Sequence, residues 1–216
     1  MMENTAKKKL FIIGAGDFGR EMESWLLLLP DFNKNWIIVG YLDNNMEALN
    51  GFPSDYKVIG NPLEYEFAAD DFALMCVTNP SDKQYLVENL RGKVNFFSFI
   101  APTAIIGKYT KIGEGCIILF NSIISANVVM GDFVTINVGS QIGHDCIIGS
   151  FCSLMSSVDL GGCVKLGERV FMGTNSTIIP RRSVADNILI GAGSIVFKNL
   201  SKPGTYLGNP ATLLRF

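Results

Sequence analysis

From Ile100 to Val196 every sixth residue is a large aliphatic, seventeen positions in succession drawn only from Ile, Leu, Val and Met. Four residues further on the side chain is mostly small or β-branched, as at Ala104, Cys116, Ser122, Val134, Ser140, Cys152 and Val164, and Arg182 is the one bad exception. A six-residue repeat of this kind is the signature of a parallel β-helix built from hexapeptides. A large and a small residue share each side of a narrow prism, and glycine and polar residues turn its corners. Three hexads make one triangular coil of about 18 residues. About 5.7 coils spaced by roughly 4.8 Å give a prism on the order of 27 Å long. Such a solenoid buries its core only by stacking, so its ends need caps. "SKPGTYLGNPATLLRF" at the C-terminal end is a candidate.

The period acts as a ruler, because residues one coil apart are stacked neighbours. Glu114, Asp132, Ser150, Glu168 and Asp186 form one corner column, acidic and expected to be a solvated edge. Phe120, Val138, Ser156, Thr174 and Ala192 form a second, small and nearly uncharged in its last members, along which a long apolar-and-amide ligand fits. Ala126, His144, Gly162 and Pro180 form the third. His144 is the only histidine of the chain and stands on a turn instead of an inward position. Asp145 can orient and charge-stabilise its imidazole, Gly162 in the next coil offers no obstruction, and imidazole moves protons near neutral pH. His144 is therefore the candidate general base. A backbone N–H of Gly161 or Gly162 is the candidate donor to an oxyanion. A lone histidine also argues against a three-histidine zinc site, and no metal is expected. Cys116, Cys146 and Cys152 fall at the small inward position, where packing explains them.

Residues 1–97 follow another rule. Short apolar strands at "LFII", Trp36–Asp43, Lys57–Gly60 and Phe72–Thr78 alternate with helical stretches at Arg20–Leu29 and from Ser81, read as an N-cap, to Leu90. This pattern predicts a small α/β unit with a parallel sheet. "GAGDFG" (Gly14 to Gly19) is a G-x-G-x-x-G turn, which lets backbone approach phosphate or sugar at a helix N-terminus. A full dinucleotide domain needs two βαβαβ halves, and about 90 residues are short for that, so NAD is not expected. The spacing alone leaves the ligand of the turn open.

Composition narrows the partners. At 216 residues and 48% hydrophobic the chain can bury a substantial core. A net charge of -2 gives no basic field for nucleic acid. The apolar runs "LFII" and "WLLLLP" are too short for a signal segment or a membrane span. Five cysteines without a C-x-x-C pair argue against a disulfide framework. A cytoplasmic protein is expected.

Taken together, "GAGDFGRE", "GYLDNN", the unbroken hexapeptides with "IGHDCIIG", and "GNPA" resemble the bacterial sugar acetyltransferases related to sialic-acid O-acetyltransferase and to the N-acetyltransferases of nucleotide-linked 4-amino sugars. The resemblance covers nearly the whole chain. It implies a small Rossmann-like domain over residues 1–97, followed by a left-handed parallel β-helix over 98–216 with a C-terminal cap. It implies acetyl-CoA as co-substrate and transfer to the amine of a nucleotide-linked sugar, such as a 4-amino-4,6-dideoxy sugar, in surface-glycan synthesis; O-acetylation of a sugar hydroxyl is the alternative. His144 would be the base, Asp145 its support and Asn137 a further active-site residue. Gly14, Ala15, Gly16, Asp17, Phe18 and Asp43 would bind the nucleotide sugar, although some members carry a histidine where this chain has Phe18. Ser153, Gly161, Gly162, Thr174, Ala192 and Arg181 would meet acetyl-CoA, with Arg182 a second candidate for its phosphates. A homotrimer with active sites between subunits is also implied.

Overall fold

The computed structural model describes residues 7–214, so the first six residues and the last two of the C-terminal stretch lie outside the described residues. The chain forms two compact units. One comprises the residues up to Thr78 together with Asp82–Phe97; the other comprises Asn79–Ser81 and the chain from Ser98 onward.

The first unit is a five-stranded, wholly parallel sheet. Its strands are β1 (Lys8–Ile13), β2 (Trp36–Leu42), β3 (Val58–Gly60), β4 (Phe72–Met75) and β5 (Asn95–Phe96), in the order β3-β2-β1-β4-β5. Central β1 is buried over its last four residues, as a strand covered on both faces must be. Helix α1 (Asp17–Leu28) follows β1, a single turn α2 (Phe32–Asn35) precedes β2, and α3 (Pro80–Leu90) precedes β5. The cap of α3 is Asn79, whose Oδ1 accepts the Ser81 N–H at 2.9 Å, so Ser81 is not the N-cap. Pro80 in the first turn donates no hydrogen bond and costs nothing there.

The glycines of the β1–α1 turn have distinct tasks. Gly14 adopts φ +98, and a side chain on Gly19 would collide with the Gly14 carbonyl. Helix and strand therefore approach more closely than any other residue allows. Asp43, just after β2, ties the turn down. Its Oδ2 accepts the Ala15 N–H at 2.8 Å and its Oδ1 accepts the Asn45 N–H at 2.9 Å.

The second unit is a parallel β-helix. Six two-residue strands from Ile105–Ile106 to Ile195–Val196 make face 1, and five from Lys111–Ile112 to Ser183–Val184 make face 2. Face 3 runs from Phe99–Ile100 through Ile188–Ile190 to Gly204–Leu207, and antiparallel Thr212–Leu213 ends it. Every ladder joins residues one coil apart, such as Ile124 with Ile142 and Ile142 with Leu160. The hexad aliphatics and the small fifth residues form one continuous core from Cys116 to Tyr206.

Two features of the backbone explain residue choices that the period alone leaves open. Position 109 and each sixth residue after it up to 193 has a positive φ near 60°, and these account for all twelve non-glycine residues in that region among those described. Their N–H groups donate to the preceding coil, for instance Asn127 to Lys108 O at 3.0 Å, Asp145 to Ala126 O at 3.1 Å and Cys163 to His144 O at 2.8 Å. These bonds offset a left-handed conformation that costs about 1–2 kcal/mol for an L-residue. The small fifth residues also donate inward. Thr110, Ser122, Ser140, Cys116, Cys146 and Cys152 each give their O–H or S–H to a corner carbonyl at 2.9–3.3 Å. Cysteine and serine recur there because a buried carbonyl needs a donor, and not only because they are small. Arg182 occupies the same inward slot, and its Nε is buried without a partner among the described residues.

Candidate active site

His144 sits at the corner where face 1 turns into face 2, between the strands Gln141–Ile142 and Ile147–Ile148. The next residue, Asp145, has φ +60. The imidazole Nδ1 lies 2.6 Å from Asp145 Oδ2, and Asn127 Nδ2, one coil back, donates to Asp145 Oδ1 at 2.5 Å. The carboxylate can only accept, so the shared proton belongs to Nδ1, and in the neutral ring Nε2 is left with its lone pair. The His144 hydrogen bond, and after it the Asn127 bond, hold the Asp145 carboxyl below its ordinary pKa, so it is ionised at neutral pH.

Gly162 makes room for the ring. A Cβ there would stand 2.7 Å from His144 Nε2 and 2.9 Å from Cε1. The same glycine supplies a donor. The Cys146 thiol, buried and held protonated by that burial, donates to Gly161 O at 3.3 Å from inside the prism. In a planar trans peptide the N–H points opposite to the carbonyl. The Gly162 N–H is thus turned away from the core, and it has no protein acceptor among the described residues. Gly161 N–H is already given to Ile178 O at 2.9 Å. Of the two candidate oxyanion donors, the structure leaves Gly162 available.

The acidic corner shows why the His144 corner is open. There, Glu114 N–H donates to Asp132 Oδ1 at 2.9 Å, Asp132 N–H to Ser150 Oγ at 3.1 Å, and Glu168 N–H to Asp186 Oδ1 at 2.9 Å. Each acceptor lies one coil beyond its donor. The acidic column is a hydrogen-bonded rib and not merely a solvated edge. At the His144 corner the residues one coil beyond are Gly162 and Pro180, with no oxygen to offer from a side chain.

The α/β unit carries a cavity of about 470 Å³ at the carboxyl ends of its strands, lined by Gly14, Asp43, Asn44, Asn61, Asp82 and Tyr85 among others. Ligands of open α/β sheets bind at such ends. Each Asp43 oxygen keeps a second lone pair beyond its backbone bond.

Comparison with known proteins adds the family. The GDP-perosamine N-acetyltransferase of Escherichia coli O157:H7 is 30% identical over 192 residues, which are 84% of this chain and 82% of that protein. The chain belongs to the hexapeptide-repeat sugar N-acetyltransferases. The acetyltransferase domain of PglB from Neisseria gonorrhoeae FA1090 superposes with a TM-score of 0.82 at 26% identity, covering 96% of this chain and all of that one. The perosamine N-acetyltransferase of Caulobacter crescentus, at 22% identity and a TM-score of 0.85 over 98% of this chain and 99% of that one, shares the fold. Other relatives match over a shorter stretch: the UDP-3-O-acylglucosamine N-acyltransferase of Herminiimonas arsenicoxydans is 29% identical over 103 residues, 48% of this chain and 27% of that protein. The chain thus spans about a quarter of the length of that relative. No family model matches the chain.

In this member of the family the residues expected at the site fall on several elements. His144, Asp145, Gly161 and Gly162 share one corner, with Arg181 exposed one coil beyond Cys163. Thr174 and Ala192 are exposed on the corner between faces 3 and 1. Asn137 lies on that other corner too, largely buried, its Oδ1 accepting from Val138 N–H at 2.6 Å and Ser156 Oγ at 3.2 Å. Ser153 is fully buried on face 3. In the α/β unit Gly14 and Asp43 line the cavity, Gly16 is exposed, Asp17 pairs with Arg20, and Ala15 and Phe18 are buried. Phe18 packs on the inner face of α1 with Met22 and Leu26. Sequence reasoning missed Asn61 and Tyr85, for which "GNP" after β3 and the exposed face of α3 were the available signals.

Proposed function

We propose that the chain transfers the acetyl group of acetyl-CoA to the amino group of a nucleotide-linked amino sugar, with His144 as general base. The observation that carries this reading is the imidazole held by Asp145 at 2.6 Å over the bare Cα of Gly162. The amine attacks the thioester carbonyl, an N–C bond forms, and the Gly162 N–H donates to the oxygen that gains negative charge. Nε2 takes the proton that the nitrogen must lose, and Asp145 stabilises the resulting imidazolium. Collapse breaks the C–S bond, and the proton passes from Nε2 to the departing CoA sulfur. Base catalysis of this kind contributes about 10²- to 10⁴-fold.

We read the residues up to 97 as a Rossmann-like domain whose cavity holds the nucleotide, with Asp43, Asn61 and Tyr85 as its polar groups, and the β-helix as left-handed. Acetyl-CoA would run along Thr174 and Ala192, with Arg181 near its phosphates. Thr174, Ala192 and Asn137 occupy a different corner from His144, which favours a homotrimer whose neighbouring prism completes each site. Exposed Ile105 and Ile123 on face 1 and Val129 and Ile147 on face 2 flank the His144 corner and suit such a contact. Surface-glycan synthesis in the cytoplasm is the corresponding role. The test is CoA thiol release with acetyl-CoA and a panel of UDP-, dTDP- and GDP-linked 4-amino sugars: one acceptor should give turnover that His144→Ala lowers by about 10²- to 10⁴-fold, and turnover unchanged in the variant would refute the mechanism.

A further inference from the structure

His144, Asp145 and Cys163 bring one ligand atom each within 4.8 Å of one another. The topology explains the meeting. Cys163 is stacked one coil beyond Asp145, both have left-handed backbones (φ +62 and +60), and both side chains leave the same corner. Cys163 is also the one cysteine of the five that is not buried, whereas the thiols of Cys116, Cys146 and Cys152 are committed to backbone carbonyls. Neither the packing that accounts for the other cysteines nor the acetyl-transfer scheme gives Cys163 a task.

We propose that these three residues form a binding site for a thiophilic divalent cation, zinc above all, and that occupancy switches the enzyme off; the switching rests on the reading of His144 as general base. One imidazole nitrogen, one thiolate and one carboxylate are the donor types zinc selects, leaving a fourth position for water. Bonds of about 2.0–2.3 Å set tetrahedral donors roughly 3.5 Å apart. Exposed side chains at this corner, with His144 and Asp145 64% and 46% accessible, can close that gap by rotation. Binding releases the thiol proton to solvent, because a coordinating sulfur is a thiolate.

The effect on catalysis does not depend on which ring nitrogen is ligated. A cation on Nε2 occupies the lone pair that must accept the substrate proton. A cation on Nδ1 displaces the proton shared with Asp145, and the neutral ring then carries its hydrogen on Nε2. In both cases the base is lost. The chain's lone histidine thus excludes a resident three-histidine zinc centre and still permits a one-histidine inhibitory site.

The experiment uses cobalt(II) as a spectroscopic probe on the full chain kept reduced by a phosphine, followed by zinc in the acetyl-transfer assay. The expected result is one cobalt per chain with tetrahedral d–d bands and a thiolate-to-cobalt charge-transfer band, all displaced by zinc. Cys163→Ser should keep its metal-free turnover and circular dichroism, lose the charge-transfer band, and need more than about tenfold more zinc for half-inhibition. Absence of the band in the native chain, or its persistence in Cys163→Ser, overturns the site. Cobalt spectra as expected, with zinc leaving turnover intact and His144→Ala as active as the native chain, overturn both the switch and the reading of His144 as base. Thiol-release activity lost in His144→Ala but insensitive to zinc overturns the switch alone and leaves the acetyl-transfer mechanism standing.

Discussion

The His144 imidazole lies so close to Gly162 that a methyl group at residue 162 would stand 2.7 Å from Nε2. The stacking that builds the prism thereby fixes the ring: coil spacing sets the height of Gly162, and the missing side chain sets the plane in which the imidazole rests.

Gly162→Ala should therefore push the ring aside without disturbing the ladder. Displacement of a catalytic group by about 1 Å can cost about 10²-fold. We expect kcat to fall on that scale with KM for acetyl-CoA little changed, and thermal stability to stay close to that of the native chain. Steady-state kinetics and a thermal melt on the same preparation check both.

Asp145→Asn tests the tautomer. An amide can donate to Nδ1 and leave the ring hydrogen on Nε2, which removes the base while keeping shape; replacing the orienting carboxylate of a comparable triad lowers kcat by about 10⁴-fold. The variant also has a stability signature. The Asp145 carboxyl is held below its ordinary pKa by His144 and then by Asn127. Its stabilising contribution is therefore present above the unfolded value of 3.8 and is lost as pH falls through the lowered folded value. The difference in melting temperature between native chain and variant should shrink from pH 7 to pH 3.

Cys146 and Cys152 form an internal control. Both thiols donate to corner carbonyls, Gly161 O at 3.3 Å and Gly167 O at 3.1 Å, and only the first belongs to the His144 corner. Replacing either by alanine should cost about 1 kcal/mol for the orphaned carbonyl. Only Cys146→Ala should also lower kcat, because it frees the peptide that aims the Gly162 N–H. Cys146→Ser, which keeps a donor, should restore turnover.

Much of this was legible because the hexad is a rigid ruler. The coil of stacked residues, the three corner columns and the facing of His144 by Gly162 all follow from a period that never slips between Ile100 and Val196. The turn chemistry was less legible. Left-handed positions are held by Tyr109, Phe133, Phe151, Arg169 and Arg181 as well as by Asn and Gly, so local preference does not mark them; bonds to the preceding coil do. The acidic column is the solvated edge its charge suggests, with Glu114, Glu168 and Asp186 exposed. What charge pattern does not reveal is that Asp132, Ser150 and Asp186 each accept an N–H from another coil. The α/β cavity draws Asn61 from the turn after β3 and Tyr85 from α3, and no short motif links the two.

That rib yields its own expectation. Asp186→Ala removes the acceptor of the Glu168 N–H, bonded at 2.9 Å. It should destabilise the chain by about 1 kcal/mol and leave acetyl transfer unchanged, and Asp186→Asn should be milder. Urea unfolding alongside the activity assay separates the two effects.

The most direct test of the central claim is the single-turnover rate of acetyl transfer by native chain and His144→Ala with saturating acetyl-CoA and one reactive nucleotide-linked amino sugar. The account predicts a drop of about 10²- to 10⁴-fold with substrate binding retained. A variant that transfers acetyl at the native rate would contradict it.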